Sequence, residues 1–314
     1  MLSLLGGIFL GWSLGANDAA NVFGSAVASR MVKFWTAAVL ASVFVLLGAL
    51  LEGEAGIETY RGLTQMTLQL AVISSVAAAI TVTLMTLLGL PVSTSQAAVG
   101  AILGAGILSR QLNVAGLAKV VVCWFGTPIG GAVSAVFVYK ILAVLYNRLN
   151  INLFQSDKGL RLCLIGAGSY GAYTLGANNV ANVTAVFVSA GMLAVFSAAL
   201  IGGLSISFGI MTFSRRVMET VGKRLVKLDA FSALVVVLAE AITVHFYTFV
   251  GVPVSTSQAV VGAVLGVGII KGVNTIRRQT LVNILFGWFL TPVVACFFAL
   301  AIHFASRLQY VPSP

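Results

Sequence analysis

The sequence predicts an all-α polytopic membrane protein built from two related halves. Hydrophobic residues make up 59% of the 314 residues and charged residues only 8%, against roughly 25% charged in a typical soluble domain. Apolar runs recur along the whole chain, and a membrane-spanning helix needs about 20 such residues. The chain also repeats several of its own motifs at a nearly constant spacing.

The repeat is clearest in an 18-residue segment. Residues 89–106 read GLPVSTSQAAVGAILGAG, and residues 251–268 read GVPVSTSQAVVGAVLGVG; 14 of the 18 positions are identical at an offset of 162. Upstream, GANDAANV at 15–22 recurs as GANNVANV at 176–183, at an offset of 161. Downstream, three residues recur at an offset of 164: Trp124, Thr127 and Pro128 as Trp288, Thr291 and Pro292. Three motifs in one order at nearly one offset indicate a duplication.

We therefore predict a first transmembrane repeat at 1–147, a cytoplasmic linker at 148–160 and a second transmembrane repeat at 161–314. Each half contains five apolar runs, and we expect discontinuous or re-entrant helices at the repeated motifs. The runs lie at about 1–29, 34–51, 66–89, 91–109 and 117–146, and at about 161–190, 192–213, 229–250, 253–270 and 280–306. An odd number of spans in each half inserts the second half in the inverted orientation.

The placement of charge agrees with this topology. If the runs alternate across the membrane, 14 of the 18 Lys and Arg residues fall on one side. The other side carries an acidic loop with Glu52, Glu54 and Glu58. The positive-inside tendency then places both termini outside a cell membrane. The net charge of +10 belongs to the loops facing the cytoplasm, so the lipid bilayer is an expected partner and nucleic acid is not.

The repeated PVSTSQ motif predicts an anion site. A proline suits a helix start, so Pro91 and Pro253 introduce new helices whose first turns hold Ser and Thr. The first turn of a helix offers free backbone N–H groups and the positive end of the helix dipole, which favour an anion. The alternative is ordinary helix capping and packing by Ser and Thr. The predicted anion-binding residues are Ser93, Thr94, Ser95, Gln96, Ser255, Thr256, Ser257 and Gln258.

The GANDAAN and GANNVAN motifs predict cation sites. Residues four apart share one helical face, and oxygen-only ligands suit a hard ion such as Na⁺. We expect Gly15 and Gly176 to let their helices unwind and free carbonyl oxygens. The alternative is hydrogen bonding between helices through the amides. The predicted Na⁺ ligands are Asn17, Asp18, Asn21, Asn178, Asn179 and Asn182.

Inverted repeats bring corresponding discontinuous helices together at the midplane of the membrane. We expect the two Ser-Thr-Ser turns to face each other across one anion, flanked by two cation sites. Glu240 is a further intramembrane carboxylate, and it is interpreted as a coupling or gating residue, a partner for His245, or a structural acid. No metal cluster, nucleophile–base pair or nucleotide loop is evident in the sequence, so catalytic residues, cofactors and an enzymatic activity are not predicted.

These motifs resemble the inorganic phosphate transporter (PiT) family. GANDAAN and GANNVAN are similar to its paired GANDVAN signature, PVSTSQ is similar to its PVSTTH signature, and RVMETVG at 216–222 is similar to its RVxxTVG stretch. The resemblance implies an Na⁺-coupled or H⁺-coupled phosphate transporter. It places phosphate on the Ser and Thr residues of the two PVSTSQ motifs, and it places cations on Asp18 and the motif asparagines.

The sequence departs from the family pattern at several positions. Gln96 and Gln258 replace a His that often ends the second signature, which removes a titratable group and favours Na⁺ as the coupling ion. Val45 stands where many sodium-coupled relatives carry a Glu. We therefore expect Na⁺-coupled phosphate symport, with a proton-coupled phosphate or sulfate transporter or an anion channel as alternatives. The family also suggests a homodimer.

Overall fold

The computed structural model describes residues 2–87, 92–148, 153–224, 228–272 and 278–308. Within these residues the chain forms a 3-10 turn at Leu2–Leu4 and eleven α-helices, and β-structure is limited to one isolated bridge. The helices are α1 (Leu5–Ala28), α2 (Phe34–Glu52), α3 (Glu54–Arg61), α4 (Leu68–Leu87), α5 (Thr94–Ser109), α6 (Val114–Arg148), α7 (Leu153–Ser189), α8 (Val195–Arg224), α9 (Ala230–Val250), α10 (Thr256–Lys271) and α11 (Arg278–Leu308).

Six helices in this part of the chain are long and apolar enough to cross a membrane, namely α2, α4, α6, α8, α9 and α11. Their outward faces are apolar as well. Phe125 and Phe137 of α6 and Phe289 and Phe297 of α11 are all at least 60% exposed. Such surfaces are stable in lipid and not in water. The predicted all-α multi-pass membrane fold is confirmed.

The expected unwinding of the two Asn-rich motifs is wrong. Helices α1 and α7 run without interruption through the motifs that follow Gly15 and Gly176. The two glycines serve close packing instead. A Cβ atom on Gly15 would lie 1.9 Å from the carbonyl oxygen of Ile206 in α8, and one on Gly176 would lie 2.0 Å from that of Val45 in α2. Only a glycine fits where two backbones approach so closely.

The partner helices return the same contact from their own side. A Cβ on Gly209 of α8 would lie 2.0 Å from the carbonyl oxygen of Trp12 in α1, and one on Gly48 of α2 would lie 1.9 Å from that of Tyr173 in α7. The two contacts are related by the single offset of 161. Trp12 and Gly15 of α1 correspond to Tyr173 and Gly176 of α7, and Val45 and Gly48 of α2 correspond to Ile206 and Gly209 of α8. The two motif helices are thus held in equivalent settings.

The helices that follow the PVSTSQ motifs are packed in a second matched pair. A Cβ on Gly100 of α5 would lie 2.3 Å from the carbonyl oxygen of Pro292 in α11, and one on Gly262 of α10 would lie 2.0 Å from that of Pro128 in α6. Both α5 and α10 have 16 residues, which is short for a helix that must span the membrane. They therefore begin inside the protein.

The residues expected to form an acidic loop belong to helices. Glu52 is the last residue of α2, and α3 contains both Glu54 and Glu58. The turn between them is tight, since a Cβ on Gly53 would lie 2.4 Å from the carbonyl oxygen of Ala49. Helix α3 is thereby folded back toward α7, where Gly56 faces Ala181 and Pro253.

We predict that Gly176→Ala destabilises the protein by about 1–3 kcal/mol, because the added methyl group must push apart two packed backbones. The matched control is Gly166→Ala on the same helix, where the added Cβ would have no atom of a neighbouring helix within 4 Å in the described part of the chain. The control gains helix propensity without a clash. Thermal unfolding of both purified variants in detergent measures the difference. Equal midpoints for the two variants would contradict the close contact.

Candidate functional site

Each PVSTSQ motif forms the start of a helix. The hydroxyl of Ser93 accepts a hydrogen bond from the backbone N–H of Gln96 at 3.3 Å, and that of Ser255 accepts the equivalent bond from Gln258 at 3.3 Å. The two serines are therefore the N-caps of α5 and α10. Pro253 lies two residues before its cap, and Pro91 lies outside the described residues.

A glycine allows the chain to turn into the second of these helices. Gly251 ends α9 with a φ of 75°, in the left-handed region that side chains disfavour. Four residues later Ser255 caps α10. This short connection brings Val254 against the first turn of α5, where the hydroxyl of Ser95 donates to the Val254 carbonyl oxygen at 2.9 Å. The starts of the two short helices therefore converge.

Helix α1 contacts both of these first turns. The hydroxyl of Thr94 donates to Oδ2 of Asp18 at 3.2 Å. The amide of Asn21 donates to the hydroxyls of Thr256 at 3.1 Å and Ser257 at 3.3 Å. One turn of α1 thus connects the first turns of α5 and α10.

Helix α7 makes the corresponding contacts from the other side. Nδ2 of Asn182 donates to the hydroxyl of Ser95 at 3.0 Å and to Oδ1 of Asn179 at 2.8 Å. Ser95 also donates to Oδ1 of Asn179 at 3.2 Å. The contact of Asn182 with Ser95 is the repeat equivalent of the contact of Asn21 with Ser257. The structure thus brings residues of the predicted anion and cation sites into one cluster.

The side chain of Asn178 supports the chain segment that leads into α10. Its Oδ1 accepts a hydrogen bond from the backbone N–H of Val254 at 2.8 Å. Its Nδ2 donates to Thr248 Oγ1 at 3.2 Å and to the Val252 carbonyl oxygen at 3.3 Å. Asn178 therefore supports the chain between α9 and α10. Its role as an Na⁺ ligand stays a prediction, and so does the role of the half-buried Asn17.

Several polar atoms of the cluster remain available for a ligand. They are buried and have no hydrogen-bond partner in the described part of the chain: Oε1 of Gln96 and Gln258, Nδ2 of Asn179 and Oδ1 of Asn182. Buried polar groups in folded proteins are nearly always paired. Unpaired atoms grouped at one place therefore indicate a site for a polar ligand.

The cluster contains one formal charge, on Asp18. Every described side chain that hydrogen-bonds to the two first turns is a hydroxyl, an amide or this carboxylate, and none is Lys or Arg. Hydroxyls and helix N-termini can donate to an anion, while carboxylate and amide oxygens can bind a hard cation. The arrangement can therefore hold both ion types next to each other.

Sequence reasoning missed two residues of α3 that cover the cluster. The hydroxyl of Tyr60 donates to the carbonyl oxygen of Ser95 at 3.5 Å, and that of Thr59 donates to the carbonyl oxygen of Gly251. A signal was present for Thr59, because the pair Glu58–Thr59 recurs as Glu219–Thr220 at the offset of 161. Tyr60 corresponds to Val221 and has no such signal.

Of the three interpretations of Glu240, the pairing with His245 is not found in the described part of the chain, and the coupling or gating role stays a prediction. The Glu240 side chain is fully buried in α9, and neither carboxylate oxygen has a hydrogen-bond partner among the described residues. His245 bonds to Glu52 instead, with Nε2 and Oε2 at 2.8 Å. Helix α7 lies beside both residues of α9, with Tyr170 hydrogen-bonded to His245 and Gly171 next to Glu240, and the end of α2 adds Glu52 as the second partner of His245.

The structure is that of a multi-pass helical membrane protein with a buried polar cluster between the starts of two helices, an arrangement typical of transporters rather than enzymes. The comparison with known proteins identifies the family within this class. The chain belongs to the phosphate transporter family, which matches residues 14–299.

The relatives are named for different anions, phosphate or sulfate. A predicted phosphate permease of Methanocaldococcus jannaschii is 30% identical, over 94% of this chain and 93% of that protein. The sulfate permease CysP of Bacillus subtilis is also 30% identical, over 94% of this chain and 84% of that protein. A solved structure described as the sodium-dependent phosphate transporter has the same fold, with a TM-score of 0.89, 22% identity and 98% coverage of both chains.

We predict that Asn178→Ala loosens the start of α10, because the buried N–H of Val254 loses its acceptor at a cost of about 1–3 kcal/mol. Hydrogen–deuterium exchange of the purified variant should rise in the segment 252–258. The matched control is Asn283→Ala on α11, whose amide contacts only the exposed Gln279 among the described residues. Unchanged protection of 252–258 in Asn178→Ala would contradict the supporting role.

Proposed function

We propose that this protein is a secondary active transporter that carries inorganic phosphate into the cell by symport with Na⁺. The proposal depends on one observation above all. Two hydroxyl-rich first turns, from α5 and α10, converge on the same buried cluster as Asp18 and the motif asparagines. Membership of the phosphate transporter family supports phosphate as the anion.

The phosphate site consists of the two first turns. Ser93 and Ser255 are used as caps, and the helix starts leave backbone N–H groups to face the anion. The hydroxyls of Thr94 and Ser95 donate to Asp18 and to the Val254 carbonyl oxygen in this structure, and they turn to phosphate when it binds. These donors are neutral. An anion held by neutral donors and helix dipoles can be released again, whereas a buried fixed cation would retain it.

The Na⁺ sites flank the phosphate. Asp18 and Asn21 on α1 and Asn179 and Asn182 on α7 supply the oxygen atoms that a hard cation prefers, together with Asn17 and Asn178. Phosphate and Asp18 repel each other unless a cation lies between them. This repulsion gives a physical reason for coupling. Bound Na⁺ reduces the repulsion between Asp18 and phosphate, so each ion raises the affinity of the protein for the other.

We further propose that 1–147 and 161–314 are inverted repeats joined by a cytoplasmic linker at 148–160, with both termini outside the cell membrane. The matched contacts of α1 with α8 and of α7 with α2, at the single offset of 161, support the two repeats. The excess of Lys and Arg on one side supports the orientation. In such folds one repeat-derived bundle moves relative to the other around a fixed site.

The sulfate permease among the relatives makes sulfate the second candidate. The site favours phosphate for a chemical reason. Asp18 and the unpaired Oε1 atoms of Gln96 and Gln258 are acceptors, and phosphate at neutral pH keeps a proton that it can donate to one of them. Sulfate has no such proton and would leave these buried acceptors unpaired, which a specific site penalises strongly.

Uptake of radiolabelled phosphate into proteoliposomes tests the proposal. We expect accumulation above equilibrium with an inward Na⁺ gradient and none with an equal K⁺ gradient. Excess unlabelled sulfate should compete weakly, because it cannot satisfy the buried acceptors. Strong competition by sulfate would transfer the proposal to that anion, and uptake that neither saturates nor depends on any ion gradient would indicate a channel.

Asp18→Asn isolates the cation site. The substitution keeps the shape of the side chain and an acceptor for Thr94 while it removes the negative charge. We expect Na⁺-driven accumulation to fall at least about 30-fold, because the loss of a buried charge contact costs about 2–5 kcal/mol and each 1.4 kcal/mol is about a factor of ten. Asp157→Asn, on the exposed first turns of α7, is the matched control. Normal Na⁺-dependent uptake by Asp18→Asn would refute its role as a ligand.

A further inference from the structure

Helix α3 lies between the ion cluster and a charged surface. One face of this short helix carries the exposed residues Glu54, Glu58 and Arg61, and the last two form an ion pair at 3.1 Å. The opposite face carries Gly56 and Tyr60, which are both buried. Because charged side chains are stable next to water and costly next to lipid, α3 separates water from the interior of the protein.

The buried face of α3 is bonded to the starts of both short helices. The Tyr60 hydroxyl donates to the carbonyl oxygen of Ser95 at 3.5 Å, and the Thr59 hydroxyl donates to the carbonyl oxygen of Gly251. Ser95 belongs to the first turn of α5, and Gly251 begins the short connection into α10. Two consecutive residues of α3 therefore join the two turns between which the anion site is proposed.

The same face of α3 packs against the helix that carries the second Asn-rich motif. A Cβ atom on Gly56 would lie 3.3 Å from Cβ of Ala181 in α7 and 3.2 Å from Cγ of Pro253. Ala181 lies between the predicted ligands Asn179 and Asn182 in the chain. Helix α3 thus contacts α5, α7 and the chain before α10, and it covers the cluster from one side.

The side of the cluster beneath α3 is better closed than the other side. Ser95 and Asn182 are 0% and 3% exposed. Their equivalents in the repeat, Ser257 and Asn21, are half-buried. Since the two pairs form the same hydrogen bond, the difference in exposure reflects the cover that each pair receives. An ion reaches the cluster from the α3 side only if α3 moves.

Glycines lie at both ends of α3. Gly53 separates α3 from α2, and Gly62 follows its last residue. Glycines at the ends of an element can absorb a rotation of the backbone. The second half lacks this break, because α8 continues through Ser214, the equivalent of Gly53 at the offset of 161, to Arg224. A helix that can pivot at its ends is therefore a feature of one side of the cluster.

A polar contact, the latch, fixes the first of these glycines. Glu52 directly precedes Gly53, and its Oε2 lies 2.8 Å from Nε2 of His245 in α9. Its Oε1 accepts a hydrogen bond from the Tyr173 hydroxyl of α7 at 2.7 Å. The side chains of Glu52 and His245 are 30% and 17% exposed, so water can replace this contact at little cost when α3 moves.

The latch breaks the repeat. At offsets of 161 and 162 its three members correspond to residues that cannot form an ion pair: Glu52 to Phe213, Tyr173 to Trp12 and His245 to Thr83. In the second half, Trp12 and Phe213 fill the equivalent place with two aromatic rings, whose centroids are 5.3 Å apart. Packing alone is therefore sufficient at this position, and the polar contact accompanies the glycine break that only α3 has.

We propose that α3 is the gate of the ion cluster toward the outside of the cell, with Thr59 and Tyr60 as its closing contacts and the latch as the contact that holds it shut. The gate rests on the proposed function, which places the end of α2 on the outer side of the membrane. Opening pivots α3 at its terminal glycines and admits the ions. Closing rebuilds the two hydrogen bonds and sets the spacing of the two first turns around the anion. An anion that binds both turns therefore favours the closed gate.

The reactivity of a single buried thiol tests the gate without any transport. Gly56→Cys, in a protein whose three native cysteines are replaced by alanine, places a thiol between α3 and α7. A membrane-impermeant thiol reagent added outside should label it slowly. Saturating Na⁺ and phosphate together should slow the labelling at least about tenfold, since bound ligands stabilise the closed state. Glu54→Cys on the exposed face of α3 is the matched control, which should react quickly with or without ions. Labelling of Gly56→Cys only from the inside, or at a rate that no ion changes, would overturn the gate.

The latch is tested in the same assay. Glu52→Ala removes both of its contacts, and we expect it to accelerate the labelling of Gly56→Cys about two- to tenfold in the absence of ions, the range for the loss of a hydrogen bond. The matched control is Glu58→Ala, which removes the exposed ion pair of α3 with Arg61. Equal rates in the two variants would refute the latch.

A disulfide tests whether transport requires the movement. The Cβ atoms of Gly56→Cys and Ala181→Cys would be about as close as those of a disulfide. Oxidation of this double variant should abolish Na⁺-driven phosphate uptake, and a reductant should restore it, while oxidation should not affect either single variant. Uptake that continues in fully cross-linked protein would contradict the gate. If the reduced double variant does not transport, the labelling of Gly56→Cys decides the question.

The gate and the proposed function fail in different ways. Normal Na⁺-driven phosphate uptake, with labelling of Gly56→Cys that no ion changes, would overturn the gate and leave the symporter intact. Labelling that sulfate slows and phosphate does not, or that phosphate slows equally without Na⁺, would overturn the proposed function and leave the gate in a transporter for another ion set.

Discussion

Two helices of this protein begin in its interior, and the need to satisfy the first turns of α5 and α10 shapes the rest of the structure. A helix start exposes backbone N–H groups that water cannot reach inside a membrane protein. The chain solves part of this problem itself, because Ser93 and Ser255 cap their helices and Asn178 binds the N–H of Val254. The side chains of Gln96, Gln258, Asn179 and Asn182 around these first turns keep buried polar atoms without a partner in the described residues, and an ion bound there can pair with them.

The positions of α1 and α7 follow from the same requirement. Amide side chains of both helices, and the Asp18 carboxylate of α1, form hydrogen bonds with the two first turns. Both helices are held by close backbone contacts, where only glycine fits at positions 15, 48, 176 and 209. Because the contacts match at one offset, two segments of similar sequence meet around one buried polar cluster. Their differences then become informative. Asp18 corresponds to the neutral Asn179 in the second half, and Glu240 corresponds to Ala78 in the first half. The two carboxylates therefore break the repeat at these positions.

The sequence predicted the class of fold, the helix starts at PVSTSQ and the residues that meet there, because duplication doubles each signal and polar residues in apolar runs are rare. It did not predict how Gly15 and Gly176 are used. A glycine permits unwinding and close packing equally well, and only the neighbouring helix decides between them. The contacts of Tyr60 with Ser95 and of His245 with Glu52 join residues that are distant in the chain. No periodicity within one helix can indicate such pairs.

The central claim is that one anion lies between the first turns of α5 and α10. Arsenate has the shape and charge of phosphate and scatters X-rays anomalously, so crystals grown with it locate the anion directly. We predict one anomalous peak within hydrogen-bonding distance of the hydroxyls of Thr94 or Ser95 and also of Thr256 or Ser257. A peak that contacts only one of the two turns, a peak elsewhere in the protein, or none at saturating arsenate would contradict the account.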